Sequence, residues 1–264
     1  MDEPAPDSFL PLAEQLAEKS GEIIRRYFRA EAATLQAESK SDESPVTIAD
    51  RAAEEAMRAL IEAQYPDHGI FGEEFGFVRT DAEYAWVLDP IDGTRAFVTG
   101  MPIFGTLIAL MRNGRPVLGV INQPILNECW IGVEGRQTTL NGKPVSTSDV
   151  TRLADAAQYS TDPDMFAHGN DRAKVDAVLA EVKSKRYGGD CYAYALLASG
   201  FVDLVIEAKL KIYDFMPLVP VVERAGGVMT DWNGNPLTPE SDGHVVAAAT
   251  ADLHAAALAH LRDR

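Results

Sequence analysis

Cysteine is nearly missing from this chain: Cys129 and Cys191 are the only two in 264 residues. Two thiols make no disulfide framework, so a reducing cytoplasm is the expected compartment. No apolar run approaches the roughly 20 residues that a membrane-spanning helix needs, and no membrane partner is expected. The opening "MDEPAPDSF" is acidic and proline-rich, the opposite of a secretory signal's basic start and apolar stretch. Positive charge is scarce, with 24 Lys and Arg against 40 Asp and Glu and a formal net charge of −16. A phosphate backbone needs a basic surface, so nucleic acid is not an expected partner. The histidines, His68, His168, His244, His254 and His260, form no constellation, and with the cysteines show no zinc-type spacing. Internal repeats, low-complexity tracts and flexible linkers are missing too.

What is there suffices for a large core. Of the residues, 46% are hydrophobic and 24% charged, ordinary for a globular protein. Pro11 to Arg29 places Leu12, Leu16, Ile23, Ile24 and Tyr27 at helical spacing. After the polar "SKSDESPVT", a second helix is expected from Ile48 to about Tyr65, with Ala49, Ala53, Ala56, Leu60 and Ala63 on one side. Trp86-Val87-Leu88 reads as a short buried strand ending at Asp89. Three apolar runs then follow, separated by Asn113-Gly114 and Pro124, and "TLNGKPV" adds another Asn-Gly turn, so an antiparallel meander is expected. Beyond it, a helix around Arg172 to Lys183, "CYAYALLASG" (helix, with Gly200 as its cap), "VDLVIEA" (strand), a helix after Tyr213, "HVVAAAT" (strand) and a last helix from Ala251 alternate. One unit is expected, residues 1–264, with an α+β half over 1–145 and an α/β half over 146–264.

Acids at the edges of apolar elements are the unusual feature. They are Glu73-Glu74 in "FGEEFG", Asp89 and Asp92 in "DPIDGT", and Asp214 in "KIYDFMP". Carboxylates gathered without a cation repel and are pushed towards protonation. A hard divalent ion removes the conflict, and all-oxygen ligation suits Mg²⁺ better than zinc. Simpler readings stand beside this one. The two glutamates fit an ordinary surface turn, and Asp214 fits a helix start favoured by the dipole. Asp50 completes a capping box in Thr47-Ile48-Ala49-Asp50. "DPIDGT" resists a purely structural reading, because it supplies two carboxylates, then a glycine that lets backbone approach an anion, then a hydroxyl. If Thr94 opens a helix, its N–H groups face a phosphate.

Taken in order, "GEE", "WVLDPIDGT" and "YDFMPLVPVVERAGGVMTDWNG" resemble the inositol monophosphatase family of metal-dependent phosphatases. The resemblance runs from about Lys40 to about Trp232. It implies a layered sugar-phosphatase-type fold of the α+β and α/β kind, with alternating α-β-α-β-α layers. It further implies that Glu73, Asp89, the backbone carbonyl of Ile91, Asp92 and Asp214 hold two or three Mg²⁺ ions, for which Mn²⁺ can substitute. Thr94 would orient the attacking water, with Asp50 accepting its hydroxyl proton and Glu73 assisting. Phosphate would sit on the N–H groups of Gly93 and Thr94. The reaction implied is R–O–PO₃²⁻ + H₂O giving R–OH and phosphate, on a small phosphorylated metabolite, without a covalent phosphoenzyme. A homodimer, lithium inhibition, and a further metal carried by the loop at Lys40 are also implied.

Within the family, "DPIDGTRAFVTGMPIFGTLIAL" and "GGDCYAYALLASGFVDLVIEAKLKIYDF" look most like the histidinol-phosphate phosphatase branch, which acts in histidine biosynthesis. Arg95-Ala96-Phe97 stands where inositol-type members carry Thr-Asn-Phe, and Tyr213 where they carry Trp. Histidinol phosphate bears an amine cation and a protonatable imidazole, which Asp190 and Glu207 would complement. Asp190 also fits a helix N-cap, and the position of Glu207 also serves sugar or cyclitol hydroxyls. Arg95 is a substrate contact, a subunit contact or a structural ion pair; Cys191 is a pocket residue or a small buried hydrophobe. Phe215-Met216-Pro217 departs from the small residues usual after the metal aspartate. An inositol-1-phosphate or broad sugar-phosphate phosphatase is the alternative enzyme, and a non-catalytic phosphate-ligand-binding protein the alternative of another class.

Overall fold

The computed structural model describes residues 5–30, 38–39 and 45–262; the expectation about Lys40 lies outside them. Two large sheets are stacked among helices. The first has eight strands in the order Lys143–Pro144, Thr139–Leu140, Glu128–Val133, Arg115–Gln123, Gly105–Arg112, Tyr84–Asp92, Gly69–Gly72, Gly76–Val78. Its neighbours are antiparallel except Gly69–Gly72 beside Tyr84–Asp92. The expected meander is there, and both Asn-Gly turns have positive φ at each residue, 49° and 76° in each case, as two-residue hairpins require. The second sheet has five strands in the order Ser184–Tyr187, Ala157–Ser160, Leu204–Glu207, Val245–Ala248, Val228–Thr230, parallel among the first three.

Strand alternation sorts the layers, because successive side chains point to opposite faces. On one face of the first sheet, Trp86, Leu88, Ile108 and Leu110 pack on Leu12, Leu16, Met57 and Ile61 from helices Leu10–Tyr27 and Ile48–Gln64. On the other, Val87, Ala109, Ile121 and Trp130 meet helices Asp190–Ala198 and Leu218–Arg224. Those helices also cover Val205, Val245 and Ala247 of the second sheet. Its far face, with Leu204, Ile206 and Val246, is closed by helices Asp171–Leu179 and Ala251–Leu261. The result is the expected α-β-α-β-α stack.

Two local expectations need correction. The strand does not stop at Asp89 but runs from Tyr84 to Asp92, with a register irregularity between those two aspartates. The buried stripe of Ile48–Gln64 is Ala49, Asp50, Ala53, Glu54, Met57 and Ile61, whereas Ala63 is exposed. The alanine spacing misplaced the stripe because alanine is tolerated on either face, and the true stripe contains two acids.

Pro217 has a physical place. Its carbonyl oxygen lies 2.1 Å from where a Cβ on Gly119 would be, and that of Pro220 lies 2.3 Å from the equivalent point on Gly132. The start of helix Leu218–Arg224 therefore lies directly on glycine backbone of the sheet. Gly132→Ala should lower stability by about 1–3 kcal/mol through overpacking, read as a lower urea midpoint with an unchanged slope.

Candidate active site

Asp89 and Asp92 sit at the end of strand Tyr84–Asp92, which helices cover on both faces. Gly93 follows with φ 85° and turns the chain into the short helix Thr94–Val98. A Cβ on Gly93 would lie 2.9 Å from the Asp190 carboxyl carbon, so both its conformation and its crowding require glycine. Asp214 arrives from the second half of the chain, in the helical turn Ile212–Phe215 that contacts strand Tyr84–Asp92. Oxygens of Asp89, Asp92 and Asp214 all lie within 4.8 Å of one another. Glu73 joins them through the parallel pairing: Gly72 is level with Leu88, and the Glu73 N–H donates to the Leu88 carbonyl at 3.2 Å.

Backbone donors hold two of these acids. The Cys191 N–H donates to Asp92 Oδ2 at 2.7 Å, and the Lys211 N–H to Asp214 Oδ2 at 2.7 Å. Asp89 is 2% exposed, and its Oδ1 is buried with no hydrogen-bond partner. Burial above all, then Glu73, Asp92 and Asp214, holds its carboxyl well above the usual range. Asp214 is raised well above that range by burial and then by Asp92. Asp92 is pushed up to about 7 by burial, against the opposing hydrogen bond from Cys191.

Asp50 has both readings in its geometry. Its Oδ2 accepts from the Thr47 N–H at 2.8 Å and hydroxyl at 2.5 Å, completing the capping box. Its Oδ1 is buried without a partner, and burial raises its pKa to about 7. The expected hydrogen bond from Thr94 is not made: the Thr94 hydroxyl donates to the Ile91 carbonyl at 3.0 Å. That carbonyl is the nearer acceptor, three residues back in the same turn.

Beside the acid cluster is a cavity of about 70 Å³ lined by Asp92, Thr161, Met165, Asp190, Tyr194 and Glu207 among others. Larger clefts elsewhere, one of about 360 Å³ beside Arg25 and Asn122, lack the cluster. The N-cap of helix Asp190–Ala198 is Gly189, and Asp190 is its first helical residue, at φ 43°, so Asp190 is not the N-cap. Its pKa is pushed up to about 7 by burial and then by Asp92. Glu207 Oε1 accepts from the Thr161 N–H at 3.0 Å and hydroxyl at 2.5 Å, and Oε2 from Tyr194 at 3.0 Å. Burial pushes Glu207 up to about 7 despite these donors. Arg95 does not line the cavity; its side chain is 74% exposed, 3.9 Å from Asp162. Cys191 is buried and contributes its backbone N–H. Thr161 lies 46 residues before Glu207, and Tyr194 lies on a different element, so neither showed as a partner in the local pattern.

The match to known proteins covers nearly all of this. The model of the inositol monophosphatase family aligns with residues 5–264. The chain belongs to the inositol monophosphatase family. It is 51% identical to a bifunctional phosphatase of Arabidopsis thaliana chloroplasts over 97% of this chain and 75% of that one. A histidinol-phosphatase of Chlorobaculum parvum is 39% identical over 90% of this chain and 91% of its own. An inositol monophosphatase from Zymomonas mobilis superposes with a TM-score of 0.89 at 47% identity, covering 98% and 99% of the two chains. This inositol monophosphatase-family chain is thus a phosphatase of a metal-dependent kind. Among the described residues, no helix is long and apolar enough to cross a membrane.

The residues fit a divalent cation: three close carboxylates, one with an orphaned buried oxygen, form an all-oxygen donor set. Without a cation the cluster should cost stability in a pH-dependent way. The folded pKa values of Asp50, Asp92 and Glu207 are raised to about 7. Their favourable contribution is therefore full below the ordinary carboxylate range and is lost as pH rises to about 7. In chelator, the melting temperature should fall over that window on this account. Asp89→Asn should raise it at about pH 8 by roughly 2–4 °C per kcal/mol relieved, while abolishing any rise on adding Mg²⁺. A wild type whose melting temperature in chelator climbs between pH 5 and pH 7, with no gain from the asparagine, would contradict this.

Proposed function

We propose that this chain is a Mg²⁺-dependent phosphomonoesterase whose principal substrate is L-histidinol phosphate. The observation that carries the substrate reading is Asp190, which is not the helix N-cap and lines the cavity beside Asp92 and Gly93. A second carboxylate, Glu207, faces the same cavity. Together they suit an alcohol that bears an ammonium and an imidazolium. The histidinol-phosphatases of Chlorobaculum parvum, Mycobacterium tuberculosis and Streptomyces coelicolor, 39%, 36% and 35% identical, support the same choice.

In this reading the N–H groups of Gly93 and Thr94 donate to phosphoryl oxygens, and Glu73, Asp89, Asp92, Asp214 and the Ile91 carbonyl form the cation's ligand set. The bound cation would supply charge neutralisation and activation of the attacking water. Thr94 turns from Ile91 to orient that water, and the unpartnered Asp50 Oδ1 accepts its hydroxyl proton. Glu73 shares in taking the water's proton. The leaving oxygen takes up the proton that the attacking water gave up, and the alcohol leaves into the cavity, where Asp190 and Glu207 hold its cationic groups.

A second reading, a phosphatase that also takes inositol 1-phosphate, is favoured by the donors around Glu207. Thr161 and Tyr194 hold that carboxylate as an acceptor, which serves hydroxyl groups as well as cations. Phosphate release from the two substrates, side by side with Mg²⁺ and with chelator, separates them. Preference for histidinol phosphate, lost in chelator, is expected; preference for inositol phosphate would overturn the substrate reading. Asp190→Asn should lower kcat/KM for histidinol phosphate by roughly tenfold to a hundredfold, the worth of about 1.5–3 kcal/mol for a charged hydrogen bond, and affect inositol phosphate less. Asp92→Asn should abolish Mg²⁺-dependent hydrolysis with the fold intact.

A further inference from the structure

Helix Ile48–Gln64 carries a second buried acid one turn after Asp50. Glu54 is 0% exposed, and its carboxylate lies beneath the turn that joins strands Gly69–Gly72 and Gly76–Val78. Oε2 accepts from the Glu74 N–H at 2.7 Å, and Oε1 from the Phe75 N–H at 3.2 Å. Arg58, one further turn along, donates to Glu54 Oε1 at 2.7 Å and to the Gly76 carbonyl. The contact is close enough to forbid a side chain on Gly72, whose Cβ would lie 1.9 Å from Glu54 Oε1. Glu73 is thus the one residue between a glycine pressed on this carboxylate and the two N–H groups it grips.

A turn at this surface does not need such a device. Phe75 is exposed and Glu73, Glu74 and Gly76 are half-buried, so water is available to the same N–H groups. Burying a carboxylate and a guanidinium there carries a desolvation cost that a water-satisfied turn avoids. What the arrangement adds is a fixed backbone on both sides of Glu73. We propose that Glu54 is the positioning residue for Glu73, clamping the turn so that the Glu73 carboxylate faces Asp89. One helix then sets both Asp50 and, through Glu54, Glu73. The proposal rests on the reading of Glu73 as part of the cation's ligand set.

The test is Mg²⁺ binding by titration calorimetry, with melting temperature and KM as companions, on Glu54→Asp, Glu54→Gln, Glu73→Gln and the control Glu62→Gln. Glu62 lies on the same helix and pairs with exposed Arg79. Glu54→Asp keeps a charge for Arg58 but is one methylene too short to grip both N–H groups. It should fold and yet bind Mg²⁺ about tenfold to a hundredfold more weakly, the usual effect of removing a group that orients a ligand. Its KM at saturating Mg²⁺ should be unchanged, since Glu54 touches no substrate, and Glu62→Gln should match the wild type. Should both Glu54 variants bind within about twofold of the wild type while Glu73→Gln is weakened, the positioning role is overturned alone. Wild-type binding by Glu73→Gln would overturn the ligand reading and the proposal with it. Unfolding of both Glu54 variants in excess Mg²⁺ would overturn it as well, because a positioning role leaves the fold standing.

Discussion

Like charges brought together out of water are the constraint around which this fold is arranged. Asp89 and Asp92 come from the first sheet and Asp214 from the chain leaving the second, and their oxygens meet within 4.8 Å. Desolvation and mutual repulsion both oppose this, and they hold the carboxyls of Asp89 and Asp214 well above their usual range. Donors are supplied sparingly: one backbone N–H each for Asp92 and Asp214, and nothing for Asp89 Oδ1. A core selected for stability alone would fill this place with apolar groups. A divalent cation accounts for both the convergence and the missing partner.

The layers make that convergence rigid. Parallel pairing sets Glu73 beside the Asp89 strand, and an irregularity in the ladder then re-aims the chain between Asp89 and Asp92. The second sheet places Glu207 at a strand end, where Thr161 and Tyr194 hold it. Glycines 119 and 132 let helix Leu218–Arg224 lie against the first sheet, which brings the Asp214 turn down onto its strand. Each functional group is therefore fixed by an element whose other face is buried in apolar packing.

Much of this could be read from the chain. Asn-Gly pairs between apolar runs specify hairpins through backbone geometry, and acids at the ends of such runs stand out against a solvated surface. Membership of the family was legible in the resemblance carried by "DPIDGT", "GEE" and "YDF", and the α-β-α-β-α layering came as what that resemblance implies. Long-range partners were not. Nothing near Glu54 in the sequence shows that its carboxylate reaches Glu74 and Phe75, although an acid on the buried stripe with arginine four residues on was a signal. Local pattern also could not choose between Ile91 and Asp50 as the acceptor for Thr94, or reveal that Arg95 turns outward to Asp162. Those outcomes depend on where other elements lie.

The central claim is that the fold holds protonated acids for a cation to displace. Calorimetric Mg²⁺ titrations in two buffers of different ionisation enthalpy count the protons released on binding. At about pH 6 the account requires release, because burial pushes the Asp92 carboxyl up to about 7, and release should be smaller at about pH 9. Mg²⁺ binding with no proton release at about pH 6, or no binding at either pH, would contradict it.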